Sequence, residues 1–218
     1  VVAYELRRVG AVGTPLGGGM SLAAPTIVTH GSDELRSRIL RPTITGEVTW
    51  TQLFSEPGAG SDLAGLSTTA VRDGDDWIVN GQKVWNTSAH HADYGMLLAR
   101  TDWDVPKHEG LTMFLVPINS PGITLRRIKQ VNGSVEFCEE FFGNLELTDD
   151  AVVGEVNGGW HVASRQLYHE RRAVGGGSEF ASGIGAEGKS DVPIDYAALL
   201  EATGQAGSER AQEAAGRA

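Results

Sequence analysis

The sequence has little cysteine, little basic charge and no long apolar run. Cys138 is its one cysteine among 218 residues, which excludes an intrachain disulfide and a thiolate metal cluster and is typical of a reducing compartment. The 18 lysine and arginine residues are outnumbered by 28 acidic ones, giving a net charge of −10. This balance argues against a broad nucleic-acid or anionic-membrane surface. Because no apolar run is long enough to cross a bilayer, we expect no membrane span.

What is present is typical of a soluble globular protein, since 40% of the residues are hydrophobic and 21% are charged. The length is enough to bury a core in one or two domains. The chain begins at Val1 with neither a methionine nor a signal-like pattern, and it ends on a polar helical run at 208–218. We therefore expect it to be a fragment of a longer protein.

The hydrophobic pattern changes its period twice along the chain. Residues 1–46 predict helices, one with Ser32 as its N-cap and Pro42 as its end. Residues 47–154 alternate with a period of two, which predicts a middle domain that is an antiparallel β-barrel or sandwich. Residues 155–218 predict helices again. The fold class is therefore α+β and multidomain: the end of a helical domain, a β domain and the start of a helical bundle.

The β segment is predicted to contain strands at 48–54, 67–72, 77–79, 82–85, 94–100, 111–117, 123–131 and 136–147. Within it, Asp73-Gly74 predicts a turn. Asn80-Gly81 is the strongest short signal for a two-residue hairpin, so we expect the chain to reverse there.

The first strand runs directly into a turn of small residues, Pro57-Gly58-Ala59-Gly60. Proline fixes φ and glycine allows backbone conformations that other residues resist, so main-chain N–H groups could face a ligand. Such a turn either holds a planar or anionic cofactor or only connects two elements, which is the commoner role. Ser55, just before it, is by itself an ordinary turn residue.

Two further residues could serve either chemistry or structure. Trp85, beside the hydroxyl of Thr87 at a strand end, could stack on a flat cofactor or be a core tryptophan. Glu170 lies on one predicted helix face, or stripe, with the apolar residues Trp160, Ala163, Leu167 and Val174. Desolvation there would suit its carboxylate to take up a proton near neutral pH. The alternative for Glu170 is an ion pair with Arg171 or Arg172.

Two patterns are set aside. His90 and His91 are adjacent strand residues that point to opposite faces, and no ligand cluster completes them, so we expect no metal site. Residues 183–190, with Lys189, match the phosphate-binding loop pattern formally. That loop must follow a buried strand and open a helix, and no strand is predicted directly before 183, in residues 175–182.

The paired segments 55–62 (SEPGAGSD) and 80–87 (NGQKVWNT) together resemble the acyl-CoA dehydrogenases. The resemblance continues in the family's order through 114–123, 136–147 and 158–160, and it covers roughly residues 15–180. It implies an FAD-binding oxidoreductase in which the β domain stands between two helical domains. It also implies that an acyl-CoA thioester is oxidised to a trans-2-enoyl-CoA.

The resemblance assigns site residues by position. The flavin would contact Gln52, Leu53, Phe54, Ser55, Gly60, Ser61, Trp85, Asn86 and Thr87. The Ser55 hydroxyl would lie near the reactive flavin nitrogen, Trp85 would pack on the ring, and Thr87 would bond it. The substrate would contact Ser61, Tyr168 and Arg171.

The resemblance leaves two possible positions for the base that removes the α-proton. In a minority of members it occupies the position of Glu170, and in most it lies in the C-terminal domain, beyond the end of this chain. Implied partners are an acyl-CoA, an electron-transfer flavoprotein as acceptor, and further subunits in a homo- or heterotetramer. The alternative function is a non-catalytic subunit of a heterotetramer. We expect a bacterial cytoplasmic location, with the mitochondrial matrix as the alternative.

Overall fold

A computed structural model describes residues 17–174 of the chain. One turn of π-helix, Gly19–Ala23, leads into the first α-helix. The helices and strands in chain order are α1 (Ala24–His30), α2 (Asp33–Thr45), β1 (Trp50–Leu53), β2 (Thr69–Asp73), β3 (Asp76–Thr87), β4 (Tyr94–Arg100), β5 (Leu111–Pro117), β6 (Ile123–Ile128), β7 (Phe137–Thr148), β8 (Val152–Val153) and α3 (Gly159–Val174).

The predicted cap of α2 is confirmed, but its predicted end is wrong. The Ser32 hydroxyl accepts a hydrogen bond from the backbone N–H of Leu35 at 3.1 Å. Pro42 lies inside the helix, which continues to Thr45. Its carbonyl accepts hydrogen bonds from the N–H groups of Gly46 and Glu47. Gly46, with φ of 74°, ends the helix in the left-handed conformation that glycine adopts without strain.

The strands form one sheet in the order β6-β7-β3-β2-β4-β5-β8, and β1 pairs with β4. Most pairs are antiparallel, as predicted. The sheet also contains parallel pairs, because β1 runs alongside β4 with Gln52 opposite Met96, and β2 meets β4 at Thr69 and Arg100. The parallel pairing places the end of β1 at the middle of the sheet.

The hairpin predicted at Asn80-Gly81 is wrong. β3 runs without a break from Asp76 to Thr87, and the chain reverses earlier, at Gly74, where φ is 61°. Gly81 is required for another reason: a Cβ atom there would lie 2.7 Å from the Cα of Thr68. The glycine therefore permits a close approach of two backbones and a register shift within β3, not a turn.

Apolar side chains are buried on both faces of the sheet. On one face the core joins the sheet to the helices through Ile27, Leu35, Ile39, Trp50, Phe54, Met96, Leu98, Val162 and Ala163. On the other it lies between strands, with Leu53, Trp77, Leu97, Phe114, Phe142 and Leu145. The predicted alternation along β1 is confirmed, since Trp50 and Phe54 face the helices and Leu53 faces away. Each fully buried leucine or phenylalanine stabilises the fold by about 1.5–3 kcal/mol.

The buried face of α3 is rotated relative to the predicted stripe. Its most buried side chains are Val162, Ala163, Gln166 and Ala173, whereas Trp160 and Leu167 are half-buried. The helix begins directly against β5, because a Cβ at Gly159 would lie 2.7 Å from the Cα of Thr112. This contact fixes which side of the helix faces the sheet.

Several predictions lie outside the described residues: the helices at 1–16 and 195–218, the side chain of Val174, and the phosphate-loop pattern with Lys189. The domain division at 1–46, 47–154 and 155–218 stays a prediction. Within residues 17–174, no helix has the length and apolar character needed to cross a bilayer. In the same range, no group of three or more His, Cys, Asp or Glu side chains could hold a metal ion.

Candidate functional site

A cavity of about 640 Å³ lies between the ends of β1 and β3, the π-helical turn and α3. It brings together most of the predicted site, since its lining includes Gln52, Phe54, Ser55, Trp85, Asn86, Thr87 and Glu170. These residues come from three separated segments of the chain. The cavity is therefore a product of tertiary packing and not of one motif.

Ser55 sits in the wall of the cavity, on a backbone segment that is bonded to β3 at three consecutive residues. The carbonyl of Ser55 accepts a hydrogen bond from the N–H of Val84 at 2.9 Å. The carbonyl of Phe54 accepts one from the Lys83 ammonium, also at 2.9 Å. The turn that follows needs no left-handed backbone at Gly58 or Gly60, and the N–H of Ala59 bonds the carbonyl of Glu56. That N–H is therefore used within the turn.

Lys83 and Glu56 form a buried ion pair behind Ser55. The Nζ–Oε1 distance is 2.9 Å, and the two side chains are 0% and 4% exposed. Glu56 also accepts hydrogen bonds from the N–H and hydroxyl of Ser67 and from the N–H of Thr68. Every polar atom of the pair is thus engaged, which is the condition under which a buried pair is tolerated.

The ionisation of both partners follows from burial and from their mutual attraction. Burial acts to raise the pKa of Glu56, but the Lys83 ammonium and the hydrogen bonds from Thr68, Ser67 and Lys83 outweigh it and lower the pKa from 4.5 to about 2. Burial lowers the pKa of Lys83 from 10.5 to about 8, and the Glu56 carboxylate limits the fall. Both groups are therefore charged at neutral pH.

Trp85 presents its ring to the cavity because the strand bulges at that residue. Its φ of 65° is left-handed, a conformation that costs a bulky residue energy, and the register of β3 against β7 shifts between Val84 and Asn86. The ring is 57% exposed and touches Phe137 edge-on, with ring centroids 5.9 Å apart. Thr87 follows with an exposed side chain, and its carbonyl accepts a hydrogen bond from the Thr51 hydroxyl.

Asn86, between these two residues, points away from solvent and donates a hydrogen bond from Nδ2 to Glu140 Oε2. Glu140 is completely buried, and its Oε1 has no hydrogen-bond partner among residues 17–174. Burial raises the pKa of Glu140 from 4.5 to about 7, Asn86 opposes the rise and Glu139 adds to it. The Glu140 carboxylate therefore takes up a proton as the pH falls through about 7.

A chain of amides connects Glu170 to the end of β1. Gln166 donates from Nε2 to Gln52 Oε1 at 2.9 Å, and Gln52 donates from Nε2 to Glu170 Oε2 at 3.1 Å. Glu170 is half-buried at the cavity wall, and its contact is with Gln52, not an ion pair with Arg171 or Arg172. Gln52 therefore holds the carboxylate of Glu170 in one orientation.

The other predicted site residues do not line this cavity. Leu53 is buried in the core on the opposite face of the sheet. Gly60 and Ser61 lie on the exposed turn after Glu56. Tyr168 and Arg171 lie on the exposed side of α3, where the Tyr168 hydroxyl accepts a hydrogen bond from Arg172.

The comparisons with known proteins point to one family. Residues 51–145 match the family model described as acyl-CoA dehydrogenase, middle domain. The chain is 50% identical over 156 residues to the acyl-CoA dehydrogenase FadE34 of Mycobacterium tuberculosis. Over residues 51–145 the chain belongs to the acyl-CoA dehydrogenase family. The alignment with FadE34 covers 72% of this chain and 22% of that acyl-CoA dehydrogenase.

Solved acyl-CoA dehydrogenases share the fold. The structure described as the Tcur3481-Tcur3483 steroid ACAD is 36% identical with a TM-score of 0.68, covering 71% of this chain and 40% of that one. The ChsE4-ChsE5 complex from Mycobacterium tuberculosis is 35% identical with a TM-score of 0.66, covering 77% and 43%. The chain thus spans less than half the length of these relatives.

The cofactor implied by the acyl-CoA dehydrogenase family is FAD, and the cavity fits its flavin. The exposed Trp85 ring offers a flat apolar surface, and Ser55 and Thr87 supply hydroxyl groups at the same cavity. Gln166 is completely buried at the cavity wall, and its Oε1 has no hydrogen-bond partner within residues 17–174. A flavin carries both a planar ring and an N–H donor, which are what these groups can bind.

Four polar residues of the site were not predicted from the sequence: Lys83, Glu56, Glu140 and Gln166. The signal for Lys83 and Glu140 was available, because each occupies an inward position of an alternating strand, where a charge must find a partner. Gln166 lies three or four residues from Val162 and Ala163 on the buried face of α3. Glu56 gave no such signal, since it follows the strand in a turn.

Proposed function

We propose that this chain supplies part of the active site of an FAD-dependent acyl-CoA dehydrogenase. The substrate is an acyl-CoA thioester and the product a trans-2-enoyl-CoA: the α-proton leaves to a base, the β-hydrogen leaves as hydride, and a Cα–Cβ double bond forms. When bound, FAD supplies the hydride acceptor. Glu170 is the proposed base, and Gln52 orients its carboxylate by the hydrogen bond at 3.1 Å.

One observation supports the proposal most directly: a candidate base and the candidate flavin contacts line the same cavity. Glu170 comes from α3, Ser55 from the end of β1, and Trp85 and Thr87 from the end of β3. Proton abstraction and hydride transfer occur at adjacent carbons, so the base and the acceptor must meet at one place. Gly60 and the backbone of Leu53, whose side chain faces the other side of the sheet, remain proposed cofactor contacts, and Ser61, Tyr168 and Arg171 remain proposed substrate contacts.

The cofactor assignment is tested by the visible absorption spectrum of the purified protein before and after reconstitution with FAD. We expect the bands of bound oxidised flavin and a change of their shape on adding an acyl-CoA. A protein that shows no flavin bands after reconstitution would contradict the proposal.

The proposed base is tested by Glu170→Gln, which keeps the size and a hydrogen-bonding group but removes the carboxylate. We expect kcat to fall by about 10²–10⁴-fold, the usual contribution of a general base, while FAD stays bound. Glu155→Gln, an exposed carboxylate in the turn before α3, is the matched control and should leave kcat unchanged. Retained activity in Glu170→Gln would place the base outside residues 17–174.

The second candidate function is a non-catalytic subunit of a heterotetramer. It is favoured by the two solved structures above, each described by two named components. Native mass spectrometry separates the two functions. The enzyme predicts a tetramer that turns over acyl-CoA with one FAD per active subunit, whereas the partner role predicts a stable complex with a second chain and no turnover by this chain alone.

We also propose an electron-transfer flavoprotein as the oxidant of the reduced enzyme, because the two electrons taken from the substrate must leave before the next turnover. Reduction of added electron-transfer flavoprotein in the presence of acyl-CoA would support this partner. The proposed location is the bacterial cytoplasm, in keeping with the bacterial source of FadE34 and of the ChsE4-ChsE5 complex.

A further inference from the structure

We propose that the buried Lys83–Glu56 ion pair is a positioning device that sets the place of the Ser55 hydroxyl in the cavity. The proposal rests on the proposed function, in which Ser55 contacts the flavin. Neither member of the pair lines the cavity, so both act through the residue between Phe54 and Glu56 and not by touching a ligand.

Ser55 lies between two residues that both accept hydrogen bonds from Lys83. Nζ of Lys83 donates to the carbonyl of Phe54 and to Oε1 of Glu56, both at 2.9 Å. These are the residues immediately before and after Ser55. The N–H of Val84, next to Lys83, bonds the carbonyl of Ser55 itself at 2.9 Å. Three consecutive residues, of which Phe54 and Ser55 line the cavity, are thus bonded to two consecutive residues of β3.

A second set of hydrogen bonds holds the Glu56 carboxylate in place. Glu56 accepts hydrogen bonds from the N–H and hydroxyl of Ser67 at 2.7 and 2.8 Å, and from the N–H of Thr68 at 2.9 Å. Thr68 in turn lies against Gly81 of β3. The carboxylate is therefore bonded to two separate segments, and the turn that follows Ser55 cannot shift without breaking several charge-assisted hydrogen bonds.

A purely stabilising role is a weaker explanation of the pair. Replacing a buried ion pair by apolar side chains of similar volume is often neutral or stabilising, because both charges lose hydration on burial. Apolar side chains cannot supply the directional hydrogen bonds that the pair makes. Only a donor at Nζ can hold the carbonyl of Phe54 and the carboxylate of Glu56 at the same time.

The first test needs no cofactor. Amide hydrogen exchange of Val84 is followed by NMR in the double variant Lys83→Met/Glu56→Gln, which removes both charges at once and avoids leaving one unpaired. We expect Val84 to exchange at least about tenfold faster, while the amides of β4 keep their protection. Unchanged protection of Val84 would overturn the proposal. Equal loss of protection at Val84 and throughout β4 would overturn it too, since the pair would then stabilise the whole domain.

The second test is a thermodynamic cycle on FAD affinity. In the unaltered protein we expect Ser55→Ala to weaken FAD binding by about three- to tenfold, as for loss of one hydrogen bond. In the Lys83→Met/Glu56→Gln background the same substitution should change the affinity by less than about twofold, because the hydroxyl is already displaced. An undiminished effect of Ser55→Ala in that background would overturn the proposal.

Lys107→Met is the matched control for both tests. Lys107 also pairs with an acid, Asp62, at 2.8 Å, but its side chain is 49% exposed and its ammonium bonds only Asp62 among the described residues. The Lys107→Met substitution should change neither the amide exchange rate of Val84 nor the effect of Ser55→Ala on FAD affinity. Absence of FAD binding in the unaltered protein would contradict the proposed function, whereas the exchange of Val84 would still decide whether the pair holds Ser55.

Discussion

Two glutamates that are both buried against β3 differ in their charge. Glu56 is 6% exposed and Glu140 is 0% exposed, yet the pKa of Glu56 is lowered to about 2 and that of Glu140 is raised to about 7. Both belong to the surroundings of the cavity, one behind Ser55 and the other behind Asn86. Burial alone therefore does not decide the charge of a carboxyl group.

The difference comes from the partner that each carboxyl group finds. Lys83 stands opposite Glu140 in the pairing of β3 with β7, but its ammonium reaches Glu56 instead. Glu140 is left with one amide donor, Asn86, and with no ion pair among the described residues. Lys83 therefore helps to lower the pKa of the carboxyl group that it reaches, while the pKa of the other stays raised by burial. Three substitutions test this difference.

The largest effect is expected from Lys83→Met, which leaves Glu56 buried without its counter-charge. We expect the free energy of unfolding to fall by about 3–5 kcal/mol, as for other buried pairs broken on one side. Urea unfolding at pH 7 measures it. The exposed-pair control Lys107→Met should cost about 1 kcal/mol or less. A loss that small in Lys83→Met would mean that Glu56 is stabilised by Ser67 and Thr68 alone.

The next effect is a dependence of the free energy of unfolding on pH, which has opposite signs for the two glutamates. The folded pKa of Glu140 lies above its unfolded value, so its contribution is present below pH 4.5 and is lost as the pH rises through about 7. The loss is at most about 3 kcal/mol. For Glu56 the folded pKa is depressed, so its contribution is present above pH 4.5 and is lost as the pH falls towards about 2.

Glu140→Gln isolates the first of these slopes, because an amide accepts the hydrogen bond from Asn86 and does not ionise. Unfolding free energies measured from pH 5 to pH 8 should fall more steeply in the unaltered protein than in Glu140→Gln. Parallel curves would show that Glu140 is not protonated in the folded state.

The smallest effect is expected from Glu139→Gln. Glu139 is half-buried, accepts a hydrogen bond from Gln82 at 3.2 Å, and adds to the raised pKa of Glu140 by repulsion. Removing its charge should lower the pKa of Glu140 slightly and shift the Glu140-dependent loss of stability to lower pH by a few tenths of a unit. NMR titration of the Glu140 carboxyl carbon is the measurement. A shift to higher pH would contradict the repulsion.

Much of the fold could be predicted from the sequence because its signals are local. The strands 94–100 and 111–117 are found at the predicted bounds, since a short apolar run between turn residues is a property of neighbouring residues. The hairpin prediction at Asn80-Gly81 was wrong for the same reason. Its hairpin signal describes an isolated segment, whereas the approach of Thr68 to Gly81 belongs to the folded chain.

The candidate site was predicted in part for a related reason. Ser55, Trp85, Thr87 and Glu170 were identified by motif and spacing, and the cavity brings them together. Lys83, Glu56, Glu140 and Gln166 were not, because nothing in the sequence indicates which buried polar group faces which. A period of two gives the face of a strand but not what covers it.

The order of the helical, β and helical segments, the two faces of β1 and the family motifs of a flavin site could all be predicted from the sequence. The charges and contacts within that site follow only from the folded chain. Gln52 and Glu170 are 118 residues apart and meet only because β1 pairs with β4 and α3 packs across the sheet. Lys83 reaches Glu56 across 27 residues and makes one buried glutamate an anion, while Glu140, which it does not reach, can hold a proton. Electrostatic energy depends on distance in space and on burial, and neither quantity is written in the order of the residues.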